Sequence, residues 1–363
     1  MFSIQHLKKR ISNVKTYMAD KNIDAAIVFN SLNIYYLTGF PRGRILILSL
    51  DEDPILIVPE LEFDEADETF KIGKIVSMKT SMNLYELICS ELMELKRVSN
   101  IAAERQNLTI ELYSSLLKKL NVSDLIDFSQ CIPHFRSVKD EEELELIKKA
   151  LRIAEYGIKS VMDNVHEGIS EIQLAGEIEY AMRKAGAERY AFESIVASGF
   201  RSAYPHGSTT NKTIKNGELV VIDVGAKYGG YCSDITRTMV VGGVSDNTVK
   251  KAFNCIVEAM DAAVERLSKG VSGSDVDAAA RKIIEGYGYG KYFTHSLGHG
   301  VGLAVHEEPG LNSRNVSPLL EGNVVTIEPG IYIRGLYGVR IEDMAVVRSE
   351  GCEILNTLDR ILI

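Results

Sequence analysis

Short apolar runs alternate with amphipathic stretches over the first third of the chain. Five runs rich in Ile, Leu, Val and Ala have the length of buried strands. They are residues 25–30, 44–49, 54–59, 74–78 and 100–104. Three other stretches, residues 5–20, 82–97 and 109–120, carry apolar residues at a helical period and predict helices. Strands that alternate with helices predict an α/β domain.

The pattern weakens over residues 127–139, and a long charged helix is predicted to follow over about residues 138–163. We therefore predict a domain boundary near residue 128, between an N-terminal domain of residues 1–128 and a C-terminal domain of residues 129–363. The N-terminal part has neither a Gly-rich phosphate loop nor a cluster of catalytic residue types. Any chemistry is therefore expected in the C-terminal domain.

Two stretches of the C-terminal domain repeat one another. The segment NGELVVIDVGAKY at residues 216–228 aligns without gaps with EGNVVTIEPGIYI at residues 321–333, and the alignment pairs Asp223 with Glu328. Each stretch predicts a strand that carries a carboxylate. The domain is therefore expected to contain two pseudo-symmetric halves, with a site at the seam between them.

A fainter similarity joins HEGIS at residues 166–170 to SKGVS at residues 268–272. Each segment is predicted to open a helix, and Ser170 with Gln173 has the spacing of a capping box. Each half is thus expected to contain a helical stretch followed by its carboxylate-bearing strand.

Acidic residues interrupt four apolar runs of the C-terminal domain, where strand interiors are expected. They are Asp223, Asp234, Glu328 and Glu342. The strands bearing the two aspartates are predicted to pair as a hairpin. A buried carboxylate without a counter-charge costs several kcal/mol. Because Arg237 and Arg340 are the main cations of these strands, the pattern favours metal ions as the compensating charge.

A histidine-rich segment, HSLGHGVGLAVHEEP at residues 295–309, offers a nitrogen ligand among small residues that permit close approach. Carboxylates suit hard or borderline divalent ions, and an imidazole admits Mn, Fe, Co or Zn. Four carboxylates and one imidazole can serve two ions that lie about 3.5–4 Å apart. Taken singly, GHGVG could be a tight turn, and an acidic residue in a strand is ordinarily a turn, edge or salt-bridge residue. The combination favours a metal site.

Composition narrows the class of protein. The chain has 363 residues, of which 45% are hydrophobic and 25% charged, as in soluble globular proteins. The net charge of -9, without a basic block, argues against a nucleic-acid partner. No apolar run approaches the ~20 residues of a membrane span, and the N-terminus lacks a secretory apolar region. The five scattered cysteines form no C-x-x-C, which favours reduced thiols in a cytoplasmic protein.

The ordered motifs D-x10-D, GHG, TIEPG and RIED resemble the pita-bread metallopeptidase family, which includes methionine aminopeptidase, aminopeptidase P and prolidase. The resemblance covers essentially the whole chain. It implies an α/β (α+β) fold with a pseudo-symmetric pita-bread domain at the C-terminus. NIYYLTGF at residues 33–40 resembles the creatinase-type N-terminal domain of the family. Methionine aminopeptidases usually lack that domain, so the resemblance favours the proline-specific branch.

The same resemblance implies five ligands for two divalent metal ions, expected to be Mn or Co, with Zn or Fe as alternatives. The ligands are Asp223, Asp234, His299, Glu328 and Glu342. Asp234 and Glu342 are expected to bridge the ions, with Asp223 on one ion and both His299 and Glu328 on the other. No ligand position departs from the family pattern.

Three further histidines are implied to be catalytic and substrate-binding residues. His206 matches the histidine that contacts the substrate or leaving group. His306 matches the one that stabilises the tetrahedral intermediate, and His295 matches a third in the proline-specific branch. As an alternative, each could hydrogen-bond to a metal ligand and hold that ligand in position.

Two arginines and one ligand receive additional expected roles. Arg340 is expected to bind substrate or to pair with a ligand, and Arg314 to bind a substrate carboxylate. Glu328 is expected to move a proton from the attacking water to the leaving proline nitrogen.

The expected function is hydrolysis of the peptide bond before proline, in Xaa-Pro dipeptides or at peptide N-termini. The expected substrate is thus a proline-containing peptide, and the protein is expected to form a homodimer. Three alternatives stay open: a methionine-type aminopeptidase, a metal-independent creatinase-like amidinohydrolase, and a noncatalytic binding protein of the same fold. The intact set of five ligands argues against the last two, because those branches lose ligands.

Overall fold

The computed structural model describes residues 2–96, 98–162, 165–243 and 246–360. The chain divides into two compact units, Met1–Arg136 and Ser137–Ile363. The helix at Cys131–Ser137 occupies the weakly patterned stretch near which we predict the domain boundary. Both units combine helices with sheets, so the predicted mixed α/β fold class is confirmed. Within the described ranges, every helix is either too short or too polar to span a lipid bilayer.

The first unit contains a mixed sheet. Its strands are β1 (Ala25–Val28), β2 (Ile45–Ser49), β3 (Ile55–Pro59), β4 (Lys74–Met78), β5 (Ile101–Ala103) and β6 (Ile126–Asp127). Their order is β4-β3-β2-β1-β5-β6, with β1–β2 and β2–β3 antiparallel and the other neighbours parallel. The five predicted strands are confirmed. The apolar pattern did not predict β6, because it has two residues and both are exposed.

The helices of this unit include all three that the periodicity predicts. They are α1 (Ile4–Asp20), α2 (Ser31–Thr38), α3 (Phe63–Thr69), α4 (Leu84–Glu94), α5 (Ile110–Leu120) and α6 (Cys131–Ser137). Ser3, Asn83 and Thr109 cap α1, α4 and α5 by accepting a backbone N–H. The apolar periodicity does not predict α2, α3 and α6, because these helices are about two turns long and too short to reveal a period.

The second unit is built from two halves, each with two helices followed by strands, six strands in the first half and seven in the second. The first half contains α7 (Glu141–Met162), α8 (Glu171–Lys184), β7 (Arg189–Tyr190), β8 (Ile195–Ser198), β9 (Leu219–Val224), β10 (Ala226–Tyr228), β11 (Tyr231–Cys232) and β12 (Ile235–Val240). The second half contains α9 (Asn247–Arg266), α10 (Gly273–Gly286), β13 (Gly298–Gly300), β14 (Glu307–Leu311), β15 (Val324–Ile327), β16 (Gly330–Ile333), β17 (Tyr337–Arg340), β18 (Asp343–Val347) and β19 (Cys352–Ile354).

Strand pairing repeats between the halves. In the first half β9 lies between β8 and β12, and in the second half β15 lies between β13 and β18, with every one of these pairs antiparallel. The two central strands, β9 and β15, come from the two segments that align in the sequence. The two related halves are therefore confirmed, as is the predicted pairing of the strands around the two aspartates.

Matching glycines lie two residues before each of the two central strands. Gly217 has a φ of 79° and Gly322 a φ of 88°, values that residues with a side chain seldom adopt. The Gly217 N–H donates to the Val241 carbonyl at 2.7 Å, and the Gly322 N–H donates to the Val347 carbonyl at 2.9 Å. The repeated glycines thus fix equivalent turns at equivalent places.

Both predicted helix starts are also confirmed. The Ser170 hydroxyl accepts the Gln173 N–H and the Gln173 side chain accepts the Ser170 N–H, so the predicted capping box is present at α8. At α10 the Ser272 hydroxyl accepts the Asp275 N–H. Each cap satisfies backbone donors that the first turn of a helix leaves unpaired.

Replacing Ser170 with Ala is expected to lower the free energy of unfolding by about 1 kcal/mol, because the N-terminus of α8 loses its cap. Urea unfolding of the wild type and variant measures the difference. Ser114→Ala is the control, since Ser114 lies exposed within α5 and caps no helix. An equal loss in both variants would contradict the capping role.

Candidate metal centre

The four acidic residues lie where the chain passes from one sheet to another. Asp223 lies in β9 close to its end. The other three lie in two-residue gaps: Asp234 between β11 and β12, Glu328 between β15 and β16, and Glu342 between β17 and β18. Our prediction of a strand interior is therefore wrong for these three. The reason is that both flanking strands are apolar, so the sequence reads as one continuous run although the chain changes sheets within it.

Most of the predicted site residues line one cavity of about 390 Å³. The five expected ligands all line it, as do His206, His295, His306 and Arg340. Arg314 is not among its lining residues and lies exposed on a loop. The structure therefore brings together every predicted site residue except Arg314, whose expected role stays a prediction.

Ligand atoms converge within this cavity. Asp234, His299 and Glu342 each present one atom, and these three atoms lie within 4.8 Å of one another. His299 Nε2 lies 3.7 Å from Asp234 Oδ2 and 3.5 Å from Glu328 Oε1. These separations are too long for hydrogen bonds, but they suit atoms that surround a common centre.

Two buried oxygens provide a test of whether these residues fit a metal ion. Asp223 Oδ1 and Asp234 Oδ1 are buried and have no hydrogen-bond partner among the described residues. An unpaired buried carboxylate oxygen costs free energy that a bound cation would recover. Carboxylate oxygens with one imidazole are donors for hard or borderline divalent ions. The residues therefore fit divalent metal ions.

The arginines of these strands offset little of the acidic charge. Arg340 Nη2 donates to Asp223 Oδ2 at 2.6 Å. Arg237 pairs instead with Asp343, at 2.8 Å between Nη2 and Oδ1. Arg340 is thus left facing four carboxylates in the cavity.

Burial and mutual repulsion raise the pKa values of the acidic residues. The pKa of Asp234 lies well above its ordinary value, first because of desolvation and then because of the Glu342 and Asp223 charges. Desolvation followed by the Glu342 charge likewise raises the pKa of Glu328. For Glu342, desolvation and then the Asp223 charge raise the pKa to about 8. A divalent cation would reverse these shifts by stabilising the ionised forms.

His299 presents a neutral nitrogen to the acidic cluster. Its Nδ1 lies 3.1 Å from the Gly300 carbonyl, which can only accept, so Nδ1 carries the proton and Nε2 keeps its lone pair. Desolvation and then the His306 charge lower the pKa of His299 to about 4. The two rings meet edge to face with centroids 4.2 Å apart. A neutral imidazole with a free nitrogen is the form that ligates metal.

Tyr332 is a site residue that the sequence analysis missed. Its hydroxyl lies 2.9 Å from His295 Nε2 and accepts from Arg340 Nη1 at 2.8 Å. Desolvation raises the pKa of Tyr332 to about 12, so the hydroxyl stays protonated and donates to His295. Because Tyr332 lies in the apolar strand β16, it looks like a core residue in the sequence, and no motif identifies it.

Thr236 was also missed. Its hydroxyl donates to Glu342 Oε2 at 2.7 Å and accepts from Arg340 Nε at 3.1 Å. It therefore orients one acidic residue and the arginine that faces the acidic cluster. Threonine is common in strands, so the sequence offers no signal for this role.

A pair on α10 holds the segment that carries His295. Asp277 accepts from Arg281 at 2.6 and 3.0 Å, and its Oδ1 also accepts the Leu297 N–H at 3.1 Å. Arg281 in turn donates to the backbone carbonyls of Phe293 and His295. These contacts fix the backbone on both sides of His295.

Comparisons with known proteins identify the family of the chain. A model described as metallopeptidase family M24 matches residues 145–349, and one described as creatinase/prolidase N-terminal domain matches residues 10–138. An Xaa-Pro dipeptidase from Pyrococcus furiosus is 38% identical over 358 residues, which cover 98% of this chain and 100% of that protein.

Solved structures share the whole fold. An Xaa-Pro dipeptidase from Bacillus anthracis has a TM-score of 0.92 at 34% identity, covering 98% of this chain and 100% of that one. An X-Pro aminopeptidase from Thermotoga maritima has a TM-score of 0.89 at 35% identity, covering 97% of this chain and 99% of that one.

Stability of the metal-free protein is expected to fall as pH rises. The folded-state pKa of Glu342 is raised from 4.5 to about 8, so its contribution is complete below pH 4.5 and is lost as pH rises through about 8. Each such group gives a slope of up to about 1.4 kcal/mol per pH unit. Urea unfolding of chelator-treated protein across this range measures the slope. It should be shallower in Glu342→Gln, and an unchanged slope would refute the assignment.

Proposed function

The chain belongs to metallopeptidase family M24, and from that premise we propose that it hydrolyses the peptide bond before proline, in Xaa-Pro dipeptides or at the N-termini of peptides. The observation that carries the proposal is the cavity in which four carboxylates and one imidazole converge. Full-length similarity to proteins named Xaa-Pro dipeptidase and X-Pro aminopeptidase supports the choice of proline.

Five residues of the cavity would hold two divalent metal ions, with Mn or Co as the proposed metals and Zn or Fe as alternatives. Asp234 and Glu342 would be shared ligands, Asp223 a ligand of one ion, and His299 with Glu328 ligands of the other. The unpaired oxygens of Asp223 and Asp234 and the free Nε2 of His299 support this set. Bound ions would supply Lewis-acid chemistry, polarising the scissile carbonyl and lowering the pKa of a water nucleophile.

The side chains around the ligands have separate proposed roles. Glu328 accepts the proton of the attacking water and delivers it to the proline nitrogen as the C–N bond breaks. Burial lowers the pKa of His306, so the neutral ring keeps an N–H that donates to the developing oxyanion. His206, exposed at the edge of the cavity, contacts the leaving group.

Substrate position would be set by the residues bonded to Tyr332. The series Asp223–Arg340–Tyr332–His295 is joined by contacts of 2.6, 2.8 and 2.9 Å. Through it, the buried Arg340 and the partly exposed His295 would form a rigid wall against the substrate. Proline lacks an amide N–H and has a fixed φ, so a preformed wall can select it without hydrogen-bonding its nitrogen.

Three further features of the proposal concern the whole protein. Homodimer formation is proposed from the family resemblance, and sedimentation should give twice the chain mass. The free state of all five cysteines supports a reducing compartment, which we propose to be the cytoplasm.

Arg314 remains a proposed contact for a substrate carboxylate, to be tested by the KM of Arg314→Ala for dipeptides.

Substituting His299 with Ala or Glu328 with Gln should remove Xaa-Pro hydrolysis, by at least a hundredfold in kcat/KM, and reduce bound metal. Elemental analysis measures the metal, and an Ala-Pro assay measures the activity. His166→Ala is the matched control, because His166 lies exposed outside the cavity. Full activity in His299→Ala would count against the proposed function.

Removing metal with a chelator should abolish hydrolysis, and adding Mn, Co or Zn separately should restore it to different extents, because metals differ in preferred geometry. Assays should compare Ala-Pro with Ala-Pro-Ala in each metal. Cleavage of the dipeptide alone would identify a dipeptidase, and cleavage of both an aminopeptidase. Activity that survives complete metal removal is the outcome that would overturn a metallopeptidase mechanism.

A further inference from the structure

An ion pair on α10 lies behind the segment that carries His295. Asp277 and Arg281 are four residues apart, so their side chains share one face of the helix. Arg281 donates from Nε to Asp277 Oδ2 at 2.6 Å and from Nη2 to Asp277 Oδ1 at 3.0 Å. The Asp277 side chain is 1% exposed and that of Arg281 is 31% exposed. Neither residue lines the metal cavity, so any effect of the pair on a substrate there must pass through other residues.

The backbone that the pair contacts has no regular structure of its own. Residues 293–297 connect a short 3₁₀ helix to β13 and belong to no helix or strand. The guanidinium donates to the Phe293 carbonyl at 3.2 Å and to the His295 carbonyl at 2.5 Å, and the carboxylate accepts the Leu297 N–H at 3.1 Å. In a strand, a neighbouring strand would satisfy these backbone groups. Here two side chains do so, and the backbone around His295 therefore depends on them.

Aromatic contacts extend from Arg281 to the ring of His295. The Arg281 Cζ lies 4.2 Å from the centroid of the Phe293 ring, over its face. The Phe293 and His295 rings meet edge to face, with centroids 5.1 Å apart. The His295 Nε2 also lies 2.9 Å from the Tyr332 hydroxyl. The ring of His295 is thus held by two aromatic neighbours, one of which is stacked against Arg281.

We propose that Asp277 and Arg281 are positioning residues that place the His295 ring against a bound substrate. The inference rests on the proposed peptidase function, in which His295 is part of the wall that the substrate contacts. The pair itself touches no substrate and acts only through the segment it holds. A displaced wall weakens the binding of substrate and transition state alike, so its loss raises KM and leaves kcat nearly unchanged.

Arg281 is the better residue to substitute. Asp277 also holds Leu297, whose carbonyl accepts the Glu328 N–H at 2.8 Å, so a change at Asp277 would disturb a proposed metal ligand. Arg281→Lys keeps a positive charge beside the carboxylate. An ammonium lacks the planar fork that lets one guanidinium bond a carboxylate and two backbone carbonyls together.

We expect Arg281→Lys to raise the KM for Ala-Pro about five- to tenfold, as for one lost substrate contact, with kcat within about twofold of the wild type. Elemental analysis should give unchanged metal content. In a His295→Ala background, adding Arg281→Lys should leave KM unchanged, because the residue through which it acts has been removed. A merely structural role would lower the amount of active protein in both backgrounds without moving KM. Calorimetric Kd replaces KM where turnover is too slow to measure.

Arg10→Lys is the matched control. Arg10 also stacks over an aromatic ring, with its Cζ 4.1 Å from the centroid of Tyr36, and it donates to the Tyr36 carbonyl at 2.9 Å. It lies in the first compact unit and is not among the residues that line the metal cavity. Its KM should equal that of the wild type, whatever stability it loses in urea unfolding.

An unchanged KM in Arg281→Lys would overturn the positioning role, as would the same fold increase in KM with and without the His295 side chain. Failure of the wild type to hydrolyse Ala-Pro would instead refute the proposed function. In that case crystal structures of the wild type and Arg281→Lys decide the role of the pair. A displaced His295 backbone in the variant would support it, and an identical backbone would overturn it.

Discussion

Burial of four carboxylates beside a single arginine is the constraint on which the rest of this structure depends. Like charges at close range in a desolvated site raise each other's pKa values, and the shifts at Asp234, Glu328 and Glu342 record that conflict. Arg340 offsets only part of this repulsion: it contacts Asp223 at 2.6 Å, and its charge lowers the pKa values of the other three acids without cancelling their rise. Such a cluster favours the binding of divalent cations, because their charge is large enough to keep all four carboxylates ionised.

The repeated architecture explains how the acidic residues meet. Each half supplies two of them, next to a central antiparallel strand and at points where the chain changes sheets. A strand interior would turn successive side chains to opposite faces, whereas a break between sheets frees the carboxylate from that alternation. The second half adds His299, whose protonated Nδ1 bonds to a backbone carbonyl and leaves Nε2 facing Asp234 and Glu328. The two related halves thus supply the carboxylates, and the histidine segment, which has no counterpart in the first half, supplies the nitrogen ligand.

Much of the secondary structure and the pairing of the two halves could be predicted from the sequence, because apolar periodicity and the two aligned segments are local signals. The long strands and helices, the capping box at Ser170 and the paired halves all follow from such signals. Short helices such as α2 carry too few turns to show a period, and breaks such as the one at Asp234 are hidden between apolar strands. Tyr332 and Thr236 act only through partners that are distant in sequence. Their roles depend on tertiary geometry, which no local pattern encodes.

Anomalous diffraction from crystals of the Mn-loaded protein would locate the cations themselves. We expect two anomalous peaks in the cavity, with the side chains of Asp234 and Glu342 contacting both. Peaks elsewhere on the chain, or a cavity in which the four carboxylates bind no cation at saturating metal, would contradict it.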